Sequence, residues 1–183
     1  MTKKEIPLGV KVIFIFYIIV IISYFIDFIY INFIYSGHES PFYYSVSGLL
    51  EFIAFIASGI TSMQLYMPYV LGDSLGYLIY NMTLYPFQDF LPDTFVFAAT
   101  LLYIFSLVGL FLKAYFVRIA RILFIVLSCL GILGVVRRFV DYPFYKLDFI
   151  VVIFILIEFA FIVINIFIIT YLFFNKKAKE FFS

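Results

Sequence analysis

Glu158 and Asn165 stand seven residues apart inside an otherwise apolar run. Seven residues are two helical turns, so on a helix the two side chains share a face. An ionised carboxylate is expensive in such surroundings, which makes Glu158 the sharpest candidate for chemistry in this chain. One reading is a proton- or cation-handling site in a bundle interior. The other is a protonated glutamate in a hydrogen bond between helices, worth about 1 kcal/mol in a membrane. The second reading requires no further groups. The first needs several that converge, and no basic residue is expected at the depth of Glu158. Asp27 is a second polar candidate, with Tyr17 and Tyr24 on about the same helical face. Arg137 and Arg138 close a later apolar run, and a structural ion pair between Asp27 and one of them is expected, because a partly desolvated charge is kept mainly when paired.

The remaining candidates point more weakly to chemistry. His38 and Glu39, with Glu51, Asp73, Asp89 and Asp93, supply donors without metal-site spacing. A lone histidine is a poor zinc signature, and no calcium-loop pattern is present. No metal is expected, and these side chains read as a solvated surface. Cys129 is the one cysteine and has no partner for a disulfide or a redox pair. Asn81-Met82-Thr83 is a formal N-glycosylation sequon. Ser106 and Gly109, and Ser128, Gly131 and Gly134, recur at three-residue spacing. Small residues at that spacing let helix backbones approach closely. No phosphate-binding loop, nucleophile elbow or zinc-protease motif occurs, so no cofactor is expected and the chain reads as non-enzymatic.

The elements that would hold these residues follow from composition. Of 183 residues, 66% are hydrophobic and only 13% charged. The mean hydropathy is +1.17. Soluble domains are about half apolar and a quarter charged, so a bilayer is the solvent that fits. A net charge of +1 and twelve scattered basic residues argue against a nucleic-acid partner. Four runs are long or apolar enough to span: 8–34, 94–112, 119–136 and 148–174. The first follows Lys3, Lys4 and Lys11, and with no small-residue cleavage site after it, it reads as an uncleaved helix. Within 36–93, residues 48–69 form an apolar stretch, Gly72-Asp73-Ser74 reads as a break and a cap, and residues 75–82 carry an amphipathic pattern that Pro86 ends.

Charge orients these runs. No lysine or arginine occurs between Lys11 and Lys113. Short cytoplasmic loops are enriched in Lys and Arg, while acidic residues carry little weight. Four spans place Lys3/Lys4/Lys11, Lys113/Arg118/Arg121 and Lys176/Lys177/Lys179 together in the cytoplasm. They place the basic-free segment 36–93 outside, as two helices lying on or dipping into the outer face. A model with two extra spans preserves the same orientation. Arg137, Arg138 and Lys146 fall outside and depart from the rule. The expected architecture is an all-α transmembrane four-helix bundle with an extracytoplasmic helical insertion, forming one membrane domain over 1–183.

Several blocks resemble a group of small, uncharacterised four-helix integral membrane proteins of archaea and some bacteria. They are Ile6-Pro7-Leu8-Gly9-Val10-Lys11 at the start, Ala120-Arg121-Ile122 at the third helix, and Leu172-Phe173-Phe174-Asn175-Lys176-Lys177-Ala178-Lys179-Glu180-Phe181-Phe182 at the end. The tryptophan that precedes the Ala-Arg-Ile portion in that group is Ile119 here. The similarity covers about 6–26 and 94–182, leaving 36–93 as an enlargement peculiar to this chain. It implies four helices with both termini cytoplasmic and implies no activity. The expected role is a scaffold or accessory subunit of the plasma membrane whose partners are lipids, further copies of the chain, or a larger complex. The alternative is a small transporter or permeation subunit using Glu158 and Asn165. A lipid-modifying enzyme with outer carboxylates comes third.

Overall fold

The computed structural model describes residues 6–30, 43–81, 90–112, 114–141 and 149–183. The described residues are all-helical. Five long helices, α1 (Leu8–Ile29), α2 (Tyr43–Asn81), α3 (Leu91–Gly109), α4 (Ala114–Asp141) and α5 (Phe149–Phe174), are followed by a short α6 (Lys176–Phe181). Four segments are long and apolar enough to cross a membrane: Leu8–Ile29, Leu91–Gly109, Tyr115–Val140 and Ile155–Phe174. These overlap the four runs read from hydropathy, the second beginning and ending three residues earlier than expected. The third is longer than expected, because α4 continues through Arg137 and Arg138 to Asp141.

Contacts between helix ends set the directions. The Arg121 guanidinium donates to the Leu172 carbonyl from Nε (3.1 Å) and Nη2 (2.6 Å), so the start of α4 meets the end of α5. Gly9 packs against the Tyr171 ring, which brings the start of α1 to the same place. Arg118 donates to the Ser183 carbonyl at 3.2 Å. The Gly109 backbone at the end of α3 faces Phe116 and Ala120. Lys11, Arg118, Arg121 and the lysines of α6 therefore gather at one end of the bundle. Asn175 creates the turn into α6. Its extended backbone interrupts the helix, and its Oδ1 accepts the Ala178 N–H at 3.1 Å.

The opposite end holds the C-terminus of α1, the N-terminus of α3 and the C-terminus of α4. Here the structure departs from expectation. Residues 43–81 form one helix, with no break at Gly72-Asp73-Ser74. Besides Met63 and Leu65, its buried positions Ala54, Ala57, Thr61, Gln64, Pro68, Gly72 and Gly76 recur every three or four residues. That is the period of a single helical face. Most of these residues are small, so the stripe admits neighbouring backbone where an apolar stripe would admit side chains. A Cβ on Gly72 would lie 2.7 Å from the Leu91 carbonyl oxygen and from Pro92 Cα. Gly72 is thus a close approach to α3 in place of a helix stop, while Asp73 and Ser74 are exposed.

The route of α2 follows from four contacts. Ser58 shares a hydrogen bond with Asp27 near the end of α1. Ser62 accepts from Arg138 near the end of α4. The Met67 amide abuts Gly134 of α4, and Gly72 meets the start of α3. Over this stretch α2 crosses the far end of the bundle, with Gln64 reaching inward to its middle. Pro68 has no N–H to offer the carbonyl of Gln64 four residues earlier, so α2 lacks that backbone hydrogen bond. Two separate helices lying on an outer face are replaced by one that packs on α1, α3 and α4.

Candidate functional site

The polar residues of the interior fall into two layers. The deeper one takes a group from each long helix. Gln64 of α2 and Asn165 of α5 form a reciprocal amide pair, Asn165 Nδ2 donating to Gln64 Oε1 (3.1 Å) and Gln64 Nε2 to Asn165 Oδ1 (3.3 Å). Gln64 Nε2 also donates to Tyr103 Oη of α3 at 2.7 Å, and the Leu127 carbonyl of α4 lies 3.5 Å from it. Asn165 Nδ2 turns its second proton to the Phe161 carbonyl at 2.9 Å. Tyr17 of α1 donates to the Phe124 carbonyl (2.9 Å), and its oxygen is 2.6 Å from Ser128 Oγ. With the Tyr17 proton committed to that carbonyl, Ser128 is the donor of the shorter bond. The Tyr17 ring stacks on Phe124 at 4.9 Å and leans on Tyr103 at 4.8 Å. Gln64, Asn165, Tyr17, Tyr103 and Ser128 are all at most 1% exposed.

The second layer lies one and a half to two turns nearer the far end. Arg138 Nε is 3.3 Å from Glu158 Oε1, and Arg138 Nη1 donates to Ser62 Oγ at 2.9 Å. Glu158 is 1% exposed and Arg138 24%. The pair corrects one expectation. A basic group does reach the depth of Glu158, because helical side chains lean toward their own N-terminus and the arginine stem runs down into the bundle. Asp27 meets Ser58, while Arg138 is taken by Glu158 and Ser62. Arg137 is exposed. Glu158 and Asn165 do share a face, as their spacing requires, yet each has its own partner on another helix. Glu158 Oε2 and Thr61 Oγ1 are buried without a hydrogen-bond partner among the described residues.

The small residues mark contacts within the chain. A Cβ on Gly131 would lie 2.5 Å from Gln64 Nε2, and one on Gly134 would lie 3.1 Å from the Met67 amide nitrogen. These two glycines open α4 to α2 and to the amide that completes the inner layer. Ser106 is fully buried and donates to the Leu102 carbonyl of its own helix at 2.6 Å.

Other expected residues fall elsewhere. Glu51 and Asp73 belong to one helix, 22 residues apart, hence about 33 Å at 1.5 Å per residue, and cannot converge on a substrate. His38, Glu39 and Asp89 lie outside the described residues, as do Lys3, Lys4, Lys113, Lys146 and the Met82-Thr83 part of the sequon; Asn81 ends α2. No group of three metal-ligating side chains occurs among the described residues.

Gln64, Tyr103 and Ser62 were missed as a constellation in the sequence. The available signal was the isolated amide of Gln64 within the stretch 52–72, where a buried polar side chain requires partners. A cavity of about 680 Å³ lies between α1, α2 and α3 at the far end, lined by Asp27, Ser58, Thr61 and Asp93 among aromatic side chains. A groove at the basic end runs between Pro7, Gly9, Tyr171 and Lys177. Glu158 lines neither. Compared with family models, with curated proteins and with solved structures, the chain matches none.

Proposed function

We propose that this multi-pass membrane protein is a non-enzymatic scaffold or accessory subunit of the plasma membrane. The observation that carries this reading is the closure of Glu158, which is buried, held by Arg138 and absent from the lining of both end cavities. A carboxylate that carries protons or cations needs a path, whereas a structural one needs a partner. The inner layer is closed in the same way, each amide of the Gln64–Asn165 pair satisfying the other. Outward, Phe52, Phe159, Phe167 and Phe173 belong to a broad apolar surface suited to lipid and to other membrane helices. The gathered basic residues support cytoplasmic termini by the positive-inside rule. At the other end Arg138 is compensated by Glu158. Kinship with the small four-helix proteins is part of the same proposal and rests on the blocks at 6–11, 120–122 and 172–182.

The test is purification of the full chain in mild detergent, with bound proteins and lipids identified, for wild type and Glu158→Gln. The reading expects the same partners from both. Proton- or cation-coupled flux in proteoliposomes that Glu158→Gln abolishes would replace it with the transporter reading, which the unpartnered Glu158 Oε2 favours. Ser74→Cys in a Cys129→Ser background tests the topology. Labelling from outside the cell is expected, and labelling only from the cytoplasm overturns the orientation.

A further inference from the structure

We propose that the cavity at the far end binds an organic cation: an ammonium group carried on an apolar body. This goes beyond the scaffold reading and does not depend on it.

Three observations carry the inference. The first is charge. Asp27 and Asp93 both line the cavity, on α1 and α3, together with Tyr24. Among the described residues that line it there is no lysine or arginine. Residues 12–112 contain no lysine or arginine. Across α2, Arg138 reaches Ser62 and is committed to Glu158. Two carboxylates therefore face a space whose described lining supplies no countercharge. The second observation is the wall. Tyr24, Tyr69 and Phe97 present aromatic surface beside the carboxylates. Aromatic faces attract ammonium ions, most strongly where water is scarce, and cages of this kind hold quaternary ammonium groups. An inorganic cation would make no use of such walls. The third is Thr61, which lines the cavity at 8% exposure and whose Oγ1 has no partner among the described residues. A buried hydroxyl without a partner carries a desolvation cost that a bound polar group would relieve. The volume of about 680 Å³ suits a ligand of moderate size.

The same chemistry is available from a free organic amine or from an ethanolamine lipid headgroup. The experiment separates the two. The full-length protein is reconstituted into nanodiscs of phosphatidylglycerol alone, or with half phosphatidylethanolamine. Binding of benzyltrimethylammonium is measured by calorimetry against benzenesulfonate, which reverses the charge. Saturable binding of the cation and none of the sulfonate is expected. Asp27→Asn with Asp93→Asn should weaken it at least tenfold while the melting temperature stays within a few degrees. Loss of cation binding in the ethanolamine discs identifies the headgroup as the source, and unchanged binding identifies a free amine. No saturable binding in phosphatidylglycerol discs, equal binding of the sulfonate, or an unchanged affinity in the double variant overturns the proposal. The comparison of the two ligands on wild type decides the matter even where the double variant fails to fold.

Discussion

Replacing Arg138 by leucine tests whether the second polar layer is a charge pair. Glu158 is 1% exposed, and its only described cation is 3.3 Å away. At an effective dielectric constant of about 20, that separation corresponds to an attraction of about 5 kcal/mol. The variant need not lose all of it, because an abandoned glutamate can take up a proton. Starting from an ordinary carboxyl value of about 4.3, protonation costs about 3.7 kcal/mol at pH 7 and about 1 kcal/mol at pH 5. Arg138→Leu should therefore destabilise the fold by about 3–4 kcal/mol at pH 7, in the range known for breaking buried pairs, and by much less at pH 5. The sign is fixed: the penalty grows as pH rises, because the unfolded carboxyl ionises freely and the buried one cannot. Glu158→Met leaves an arginine that is 24% exposed and able to reach water, so it should cost less. The double variant should recover most of the loss. The assay is unfolding by SDS in mixed micelles, followed by far-ultraviolet circular dichroism, for wild type, both single variants and the double variant at each pH. A loss below about 1 kcal/mol for Arg138→Leu at pH 7, or a loss that does not shrink at pH 5, would refute the reasoning.

Three further predictions use the same assay. Gly131→Ala drives a methyl group to 2.5 Å from Gln64 Nε2 and should cost about 1–3 kcal/mol, whereas Gly59→Ala meets nothing within 4 Å and should be neutral or stabilising by up to about 1 kcal/mol. Equal effects of the two substitutions would contradict the contact between α2 and α4. Gln64→Leu and Asn165→Leu each orphan the other amide, so each should destabilise by about 1–2 kcal/mol, and the double variant by less than their sum; strict additivity would mean that the amides do not meet. Tyr17→Phe removes the bond to Phe124 and should cost about 0.6–1.7 kcal/mol, visible as a lower SDS midpoint.

The spans were legible because hydropathy acts over 20 residues and needs no partner to be read. The interior of α2 was not. Much of its buried face consists of Ala54, Ala57, Thr61, Gly72 and Gly76, residues that carry little hydrophobic signal and derive their meaning from backbones on other helices. Gly72 beside Asp73 and Ser74 has the composition of a helix end, and only the nearness of Leu91 and Pro92 explains it. Glu158 stood out on its own because a charge in an apolar run is visible locally. Its partner did not, because Arg138 lies three residues from the end of α4 and reaches Glu158 only through the length and lean of its side chain. The amide pair was half visible. Asn165 was noticed, whereas Gln64 lay in a segment expected to stay outside the bundle.

The inner polar layer also bears on how the protein is made. Its groups come from all five long helices, and the acceptor that completes Gln64 belongs to α5, the last of them to be synthesised. Until α5 arrives, α1 to α4 can associate through Tyr17, Tyr103 and Ser128, but the Gln64 amide lacks its reciprocal partner and the Arg138 guanidinium lacks its carboxylate. A nascent chain arrested before α5 thus carries two flaws, polar groups without the partners they have in the finished bundle. The arrival of Glu158 and Asn165 on a single helix repairs both flaws at once.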